Sequence, residues 1–287
     1  MTDEELEGLE ELEGLAGLFG SGPVAVLTGA GISTDSGIPD YRGAGSPPRT
    51  PMRIDQFMTD PAYRTRFWAG ARLGADAARG IRPNAGHLAL ARLEAGGLID
   101  GVITQNVDGL HERAGTSRLV ELHGRGGTIR CVDCGTRFTR EEVLRWFDAG
   151  NPGYAERNAG ARIAPDGDAE VGSLDGVTIP RCPVCGGILR PDVVYFGETV
   201  PAPVFAAAES LVASAGALLL AGTSLAVNTG VRLLHRARAR GIPIAVINRG
   251  PTAADASADL RLEAGTSEAL AALADRLLSG RPARPGA

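Results

Sequence analysis

The chain contains no lysine: all 29 basic residues are arginine. Alongside abundant alanine, glycine and proline, this reads as a genome-wide compositional bias, so the presence of an arginine carries little functional meaning by itself. There is no long basic stretch and the net charge is −5, which excludes the electrostatic footprint of a direct nucleic-acid binder. Long apolar runs are missing as well. Those present, such as Ala217 to Ala221, are far shorter than the ~20 residues that a membrane-spanning helix needs. The N-terminal stretch from Asp3 to Glu13 is acidic, without the basic start and apolar centre of a signal peptide or the arginine-rich pattern of a transit peptide. A cytoplasmic protein with no membrane partner is therefore expected. Cysteines number only four and aromatics make up 5%, yet 44% hydrophobic residues suffice for one large core or two small ones in 287 residues.

Short apolar runs alternate with helical patterns along most of the chain. Leu6, Leu9, Leu12 and Leu15 recur among glutamates, which predicts an amphipathic packing helix over residues 4 to 19. Buried strands are predicted at 23–28, 101–104, 119–122, 217–221 and 244–247, with a weaker one at 259–262. Helical periodicity falls at 84–95, 201–215, 229–240 and 267–278, with Gly241 as a C-terminal stop. Such alternation predicts an α/β fold, a doubly wound parallel sheet of Rossmann-like type. Two stretches interrupt it: a helical insertion at 53–83, and 128–189, which holds all four cysteines. The expected organisation is an N-terminal helix (1–20), a Rossmann-like domain (21–52, 84–127 and 190–279), a smaller domain made of the helical insertion and a zinc ribbon (53–83 and 128–189), and a tail (280–287).

Cys131-Val-Asp-Cys134-Gly135 and Cys182-Pro-Val-Cys185-Gly186 are two CxxC knuckles, each followed by a glycine that lets backbone N–H groups turn toward sulfur. Four thiolates suit one tetrahedral Zn²⁺ and leave no open position for a catalytic water, so the metal is expected to brace the fold. Disulfides are disfavoured in a cytosolic protein, and a redox CxxC is disfavoured because two knuckles occur with no cysteine left over. The 47 residues between the pairs exceed ordinary ribbon spacing, so Asn151 to Pro180 must loop out and return.

Three polar clusters follow predicted strands. Gly29-Ala-Gly31-Ile-Ser33 can bring backbone N–H groups to a pyrophosphate, although Thr34 stands where a Rossmann fingerprint has its third glycine. The stretch after it, Thr34 to Gly43, suits either a plain loop or one that closes over a ligand. Gln105, Asn106 and Asp108 lie just past the second strand, and His123 just past the third, at the carboxyl edge where doubly wound sheets bind ligands. A lone histidine after a strand is as a rule a structural hydrogen-bonder. Convergence of three strand ends favours a functional one.

In order along the chain, GAGIS, IPDYRG, TQNVDGLH, ELHG, the two CxxC pairs, PDVVYFGE, GTSL and VIN resemble the motifs of sirtuins, over Pro23 to about Leu278. The long spacing between cysteine pairs, APDGD at Ala164 to Asp168 and Tyr41 in IPDYR are similar to class II, the branch of mitochondrial sirtuin 4. The resemblance implies an NAD-dependent protein-lysine deacylase that consumes NAD, releases nicotinamide and transfers the acyl group to ADP-ribose.

It further implies phosphate-side contacts from Gly29, Ala30, Gly31, Ile32 and Ser33, with Asp40, Tyr41 and Arg42 near the nicotinamide ribose. Gln105, Asn106 and the adjoining Val107 match ribose contacts, and Asp108 the carboxylate that orients the nicotinamide carboxamide. Gly222, Thr223 and Ser224 match adenosine-side contacts, as do Asn248, Arg249 and Gly250, while Thr266 matches a late adenine contact. His123 matches the general base, forming with Asn106 and Asp108 the implied catalytic set. Val193, Val194 and Phe196 match the strand and tunnel for acyl-lysine, with Leu225 to Val227 opposite, so that an extended peptide adds as a strand.

Ala226 to Gly230 lacks the proline of many class I members. Positions matching the Tyr and Arg pair of desuccinylating members are Ala71 and Gly74, which makes succinyl-lysine a poor candidate. Because the chain has no lysine, its acylated partner must be another protein. Two other readings stay open: ADP-ribosyl transfer to a protein from the same NAD site, and a non-catalytic NAD or zinc-binding module. Nothing supplies the hydride acceptor site of a reductase.

Overall fold

Apolar runs without polar alternation are satisfied only when both faces are buried, and such runs form the centre of this molecule. The computed structural model describes residues 3–40, 51–158 and 174–279. Helix α1 (Asp3–Leu18) leads to β1 (Val24–Thr28), all five of whose residues are buried, and a 3₁₀ helix (Ala30–Ser36) follows. Helices α2 (Ile54–Thr59), α3 (Pro61–Ala78) and α4 (Ala85–Ala95) precede β2 (Ile99–Thr104), the short α5 (Leu110–Arg113) and β3 (Leu119–Glu121). Next come β4 (Gly124–Cys131), β5 (Arg137–Thr139), α6 (Arg140–Gly150), α7 (Tyr154–Arg157) and β6 (Leu189–Val193). The chain ends through α8 (Ala202–Ser214), β7 (Ala217–Ala221), α9 (Asn228–Arg240), β8 (Ile244–Ile247), β9 (Leu260–Leu262) and α10 (Thr266–Leu278).

Six strands form one parallel sheet in the order β3-β2-β1-β7-β8-β9. Side chains alternate between its two faces. Val24, Val26 and Leu219 join Leu15, Leu90, Leu93, Leu270 and Leu273 on the face covered by α1, α4 and α10. Ala25, Leu27, Leu218 and Leu220 join Phe205, Leu211, Leu233 and Leu234 on the face covered by α8 and α9. Each fully buried Leu contributes about 1.5–3 kcal/mol, so these two layers dominate the stability of the sheet. Strand order reverses between β1 and β7, and a crevice opens beyond their carboxyl ends.

The second sheet is antiparallel, in the order β5-β4-β6. With α3 and α6 it encloses a separate core of Trp68, Ile129, Val143, Phe147, Tyr154 and Leu189. Ala71 and Gly74 are buried on α3. Thr139 caps α6 by accepting from the Glu142 N–H (3.2 Å), while the Glu142 carboxylate accepts from the Thr139 N–H (2.7 Å), a reciprocal box that satisfies two orphan donors. The expected divisions at 127/128 and 189/190 fall inside β4 and just within β6. Asn151 pins both ends of the long loop between the cysteine pairs. Its Nδ2 donates to Phe147 O (2.7 Å) and Thr178 O (2.8 Å), and its Oδ1 accepts from Thr178 N (2.7 Å). The APDGD stretch, the 280–287 tail, Tyr41 and Arg42 lie outside the described residues.

Candidate active site and metal site

Two glycine turns interlock where β1 and β7 end. Gly31 N donates to Gly222 O (2.9 Å), and a Cβ on Gly31 would stand 2.9 Å from that same oxygen. Gly222 has φ +62°, and a Cβ there would collide with Ile32 N. The approach therefore needs residues without side chains, and it packs the two turns together at the strand ends where doubly wound sheets bind ligands. Gly222→Ala is expected to cost about 1–3 kcal/mol through strain and overpacking, lowering the melting temperature by about 2–4 °C per kcal/mol. An unchanged melting curve contradicts the interlock.

Polar residues beyond β1 and β2 form one hydrogen-bonded chain. Asn106 Nδ2 donates to Gly29 O (3.0 Å) and Ser33 Oγ (3.1 Å), and Ser33 Oγ donates to Asp108 Oδ2 (2.8 Å). The second Asp108 oxygen accepts from Leu110 N (2.9 Å), which fixes the carboxylate at the start of α5. Gln105 Nε2 donates to Thr223 Oγ1 (2.9 Å), joining the β2 end to the turn after β7. Val107 contributes its backbone, its carbonyl accepting from Gly126 N (2.9 Å), and Ile32 is fully buried in the core.

His123 stands just before β4 with its Nδ1 2.9 Å from Gln105 O and its Nε2 3.1 Å from Thr229 Oγ1. A carbonyl only accepts, so Nδ1 carries the proton and Nε2 presents a lone pair. Burial holds the imidazole below its ordinary value of 6.5, with the Gln105 bond opposing in part, so the ring is neutral at pH 7. The histidines behind it differ. Burial pushes His111 down to about 3 and His87 down to about 4, which leaves both neutral. His111 Nε2 meets Thr28 Oγ1 (2.9 Å), which donates to Thr104 Oγ1 (2.8 Å), and His87 Nδ1 meets the α4 cap Asn84 Oδ1 (2.9 Å). Asn84 Nδ2 in turn donates to Ile32 O (2.7 Å). Sequence reasoning passed over Thr28, Thr104, Asn84 and Thr229. The visible signal for the first two was a polar residue closing each of two neighbouring apolar strands.

The segment matched to the acyl-lysine tunnel adjoins the histidine directly. Val193 pairs with Gly124, and Val194 N donates to His123 O (2.8 Å). Phe196 is 47% exposed. Opposite, Leu225 is the one described non-glycine residue at positive φ (+53°), its side chain buried and its N–H held by Thr223 Oγ1 (3.2 Å). Val227 is the N-cap residue of α9. At the far end of the crevice, buried Asn248 donates to the carbonyls of Arg249 (2.9 Å) and Gly250 (3.0 Å), and Thr266 Oγ1 donates to Gly31 O (3.4 Å). Ser224 O accepts from Ala253 N (3.1 Å). Asp40 is half-buried just past the 3₁₀ helix, and Ala30 begins that helix.

All four cysteines converge at the end of the second sheet, their sulfurs within 4.8 Å of one another. Cys131 and Cys182 are buried, whereas Cys134 and Cys185 are exposed. Each knuckle closes through its glycine: Gly135 N donates to Cys131 O (3.1 Å) and Gly186 N to Cys182 O (2.8 Å), both glycines at positive φ. Four sulfur donors in one cluster fit a tetrahedral, closed Zn²⁺ site.

Comparison with known proteins bears on the whole arrangement. The model described as Sir2 family matches residues 29–229. An NAD-dependent protein deacetylase 1 of Mycobacterium avium (strain 104) is 48% identical over 273 residues, covering 94% of this chain and 97% of that protein. One of the same description from Streptomyces coelicolor is 43% identical over 274 residues, covering 94% and 91%. Among solved structures, a Sir2–p53 peptide–NAD+ complex is 30% identical with a TM-score of 0.75, covering 93% of this chain and 97% of that one. Sir2 bound to acetylated peptide is 29% identical with a TM-score of 0.74 over the same shares. The matched span runs from the interlocked glycines through both cysteine pairs to Thr229 beside His123, and on that footing the chain belongs to the Sir2 family, the sirtuins.

Proposed function

We propose that the protein is an NAD-dependent protein-lysine deacylase that converts NAD, an acylated lysine and water into nicotinamide, O-acyl-ADP-ribose and free lysine. The observation that carries this reading is the neutral His123. Its Nδ1 is held by the carbonyl of Gln105, next to Asn106, its own carbonyl is held by Val194 N, and its Nε2 faces Thr229 Oγ1, which supports a base set between a nucleotide sugar and an acyl-lysine. Relatives are named NAD-dependent protein deacetylases, and solved Sir2 proteins hold NAD+ and peptide, which supports the choice of substrates.

NAD, when bound, supplies a ribose carbon that becomes electrophilic as nicotinamide leaves. The chain's own residues would then divide the work. The turns at Gly29 to Ser33 and Gly222 to Ser224 would receive the pyrophosphate and adenosine side, their close approach to each other depending on the missing side chains of Gly31 and Gly222. Asn248 to Gly250 and Thr266 close that end. Gln105 and Asn106 hold the nicotinamide ribose, and Asp108, held by Ser33 and Leu110 N, accepts from the carboxamide. Once the acyl oxygen has bonded to the ribose carbon that nicotinamide leaves, His123 Nε2 would take a proton from a ribose hydroxyl so that its oxygen can attack the acyl carbon, water then supplying the oxygen and protons that free the lysine. Val193, Val194, Leu225 and Val227 offer backbone to an extended peptide, with Phe196 beside the acyl-lysine. Zn²⁺ on Cys131, Cys134, Cys182 and Cys185 braces the second sheet.

Purified protein incubated with NAD and a panel of acylated peptides is expected to release nicotinamide and deacylate acetyl-lysine well and succinyl-lysine poorly. Labelled NAD that instead marks proteins covalently, with no peptide deacylated at any chain length, would establish ADP-ribosyl transfer in its place.

A further inference from the structure

Two described arginines are buried, Arg64 and Arg190. Arg64 donates to Phe57 O (2.8 Å) and Met58 O (2.9 Å), and so finishes α2. Arg190 serves the segment beyond β6. Its Nη1 and Nη2 donate to the two oxygens of Glu198 (2.7 and 2.6 Å), and Nη2 also donates to Val193 O (2.6 Å). The same Glu198 carboxylate accepts from Tyr195 N (2.9 Å), and Glu198 N donates to Tyr195 O (3.0 Å). One planar fork therefore grips the backbone of residues 193–198 at both ends.

Side chains inside this grip alternate among three environments. Val194 packs against the core beneath α8 and α9. The Tyr195 ring lies 5.4 Å from the Phe57 ring, with the Arg190 guanidinium 4.8 Å from its centroid. Phe196 points outward, and its carbonyl accepts from Ile54 N (3.0 Å). Among the described residues, three backbone–backbone hydrogen bonds hold 194–198, from Val194 N, Ile54 N and Glu198 N. A parallel bridge between Arg53 and Phe196 also holds this stretch, and the ion pair joins its two ends.

We propose that Arg190 and Glu198 are positioning residues for the acylated peptide: their bidentate pair takes up Val193 O and, through Glu198, Tyr195 N, and so fixes the path of Val193 to Phe196 beside which a substrate strand would lie. The proposal rests on the reading of that segment as the peptide site. It separates peptide recognition from NAD recognition, because neither residue contacts the glycine turns, Asn106, Asp108 or Asn248. It also ties the peptide edge to the metal module, since Arg190 pairs with Arg130 and Leu189 with Cys131 across β4 and β6.

Arg190→Lys keeps the charge and loses the fork, while Glu198→Gln keeps an oxygen for Tyr195 N and loses the charge. Arg190→Lys keeps both charges, whereas Glu198→Gln leaves the buried Arg190 charge without its carboxylate, so the melting temperature of each variant is measured beside its KM values. KM is measured for an acetyl-lysine peptide of about ten residues, for capped acetyl-lysine alone, and for NAD. Both variants are expected to raise KM for the long peptide about tenfold, the equivalent of one misplaced charged hydrogen bond, to raise that for capped acetyl-lysine less, and to leave that for NAD within about twofold. A rise in all three together, or a fall in kcat alone, overturns the proposal in favour of a structural role. Wild-type protein that binds the long peptide no better than capped acetyl-lysine also overturns it and leaves deacylation standing. Wild-type protein that releases no nicotinamide with either substrate overturns both.

Discussion

His123→Ala is expected to lower kcat/KM by about 10²–10⁴, the usual contribution of a positioned general base, while NAD still binds. The loss should far exceed any change in stability. The ring makes two hydrogen bonds, to Gln105 O and Thr229 Oγ1, and stranding their partners costs about 1–3 kcal/mol. The pH profile gives an independent signature. Burial lowers the His123 pKa from 6.5, so the base is mostly unprotonated at pH 7 and above, and activity falls as pH drops through the lowered value. The acid limb of kcat/KM should therefore have its midpoint below 6.5 and be absent from the residual activity of the alanine variant. An acid limb that persists in that variant assigns the titration to another group.

Loss of the metal is expected to have the second large effect. Structural Zn²⁺ contributes about 10–16 kcal/mol to the folding of small metal-bound modules, comparable to the total stability of a domain at about 5–15 kcal/mol. Cys131→Ser removes a buried ligand at the end of β4, directly across from Leu189 of β6. Even a loss of about 5 kcal/mol lowers the melting temperature by about 10–20 °C in a chain of this size. Metal analysis should find one zinc per wild-type chain and none in the variant. Val184→Ala, at an exposed knuckle tip, should change neither quantity. A Cys131→Ser protein that retains its zinc and melts normally contradicts the bracing role.

The parallel sheet was legible because burial on both faces leaves no polar alternation: Val24 to Leu27 and Ala217 to Ala221 admit no other placement. Polar punctuation sharpened the ends, as with Gly241, whose φ of +65° closes α9. The small antiparallel sheet was not legible. Strand β4 reads Gly-Arg-Gly-Gly-Thr-Ile-Arg-Cys, with Ile129 and Cys131 its only fully buried residues, and β5 has three residues. Such strands are held by partners distant in sequence rather than by their own periodicity.

The candidate site divides in the same way. Ser33, Asn106, Asp108 and His123 stood out because polar residues directly follow apolar strands, and the structure gathers all four around the ends of β1 and β2. Thr229 did not stand out. It lies 106 positions from His123 in sequence, and only the fold brings its hydroxyl to Nε2. Asn84 was visible as the start of a helix, whereas its second bond, to Ile32 O, depends on how α4 packs on the glycine turn. The Arg190–Glu198 pair was hidden for a related reason: neither residue has a strand or helix pattern that signals a buried fork.

One stoichiometric measurement tests the functional account most directly. Purified protein, NAD and an acetyl-lysine peptide are quenched over the first turnovers, and nicotinamide, O-acetyl-ADP-ribose and free-lysine peptide are quantified together. The account predicts equal amounts of all three, with none formed when NAD is omitted, and with deacylated peptide formed about 10²–10⁴ times more slowly when His123 is replaced by Ala. Nicotinamide release without matching deacylated peptide, or deacylation that proceeds without NAD, would contradict it.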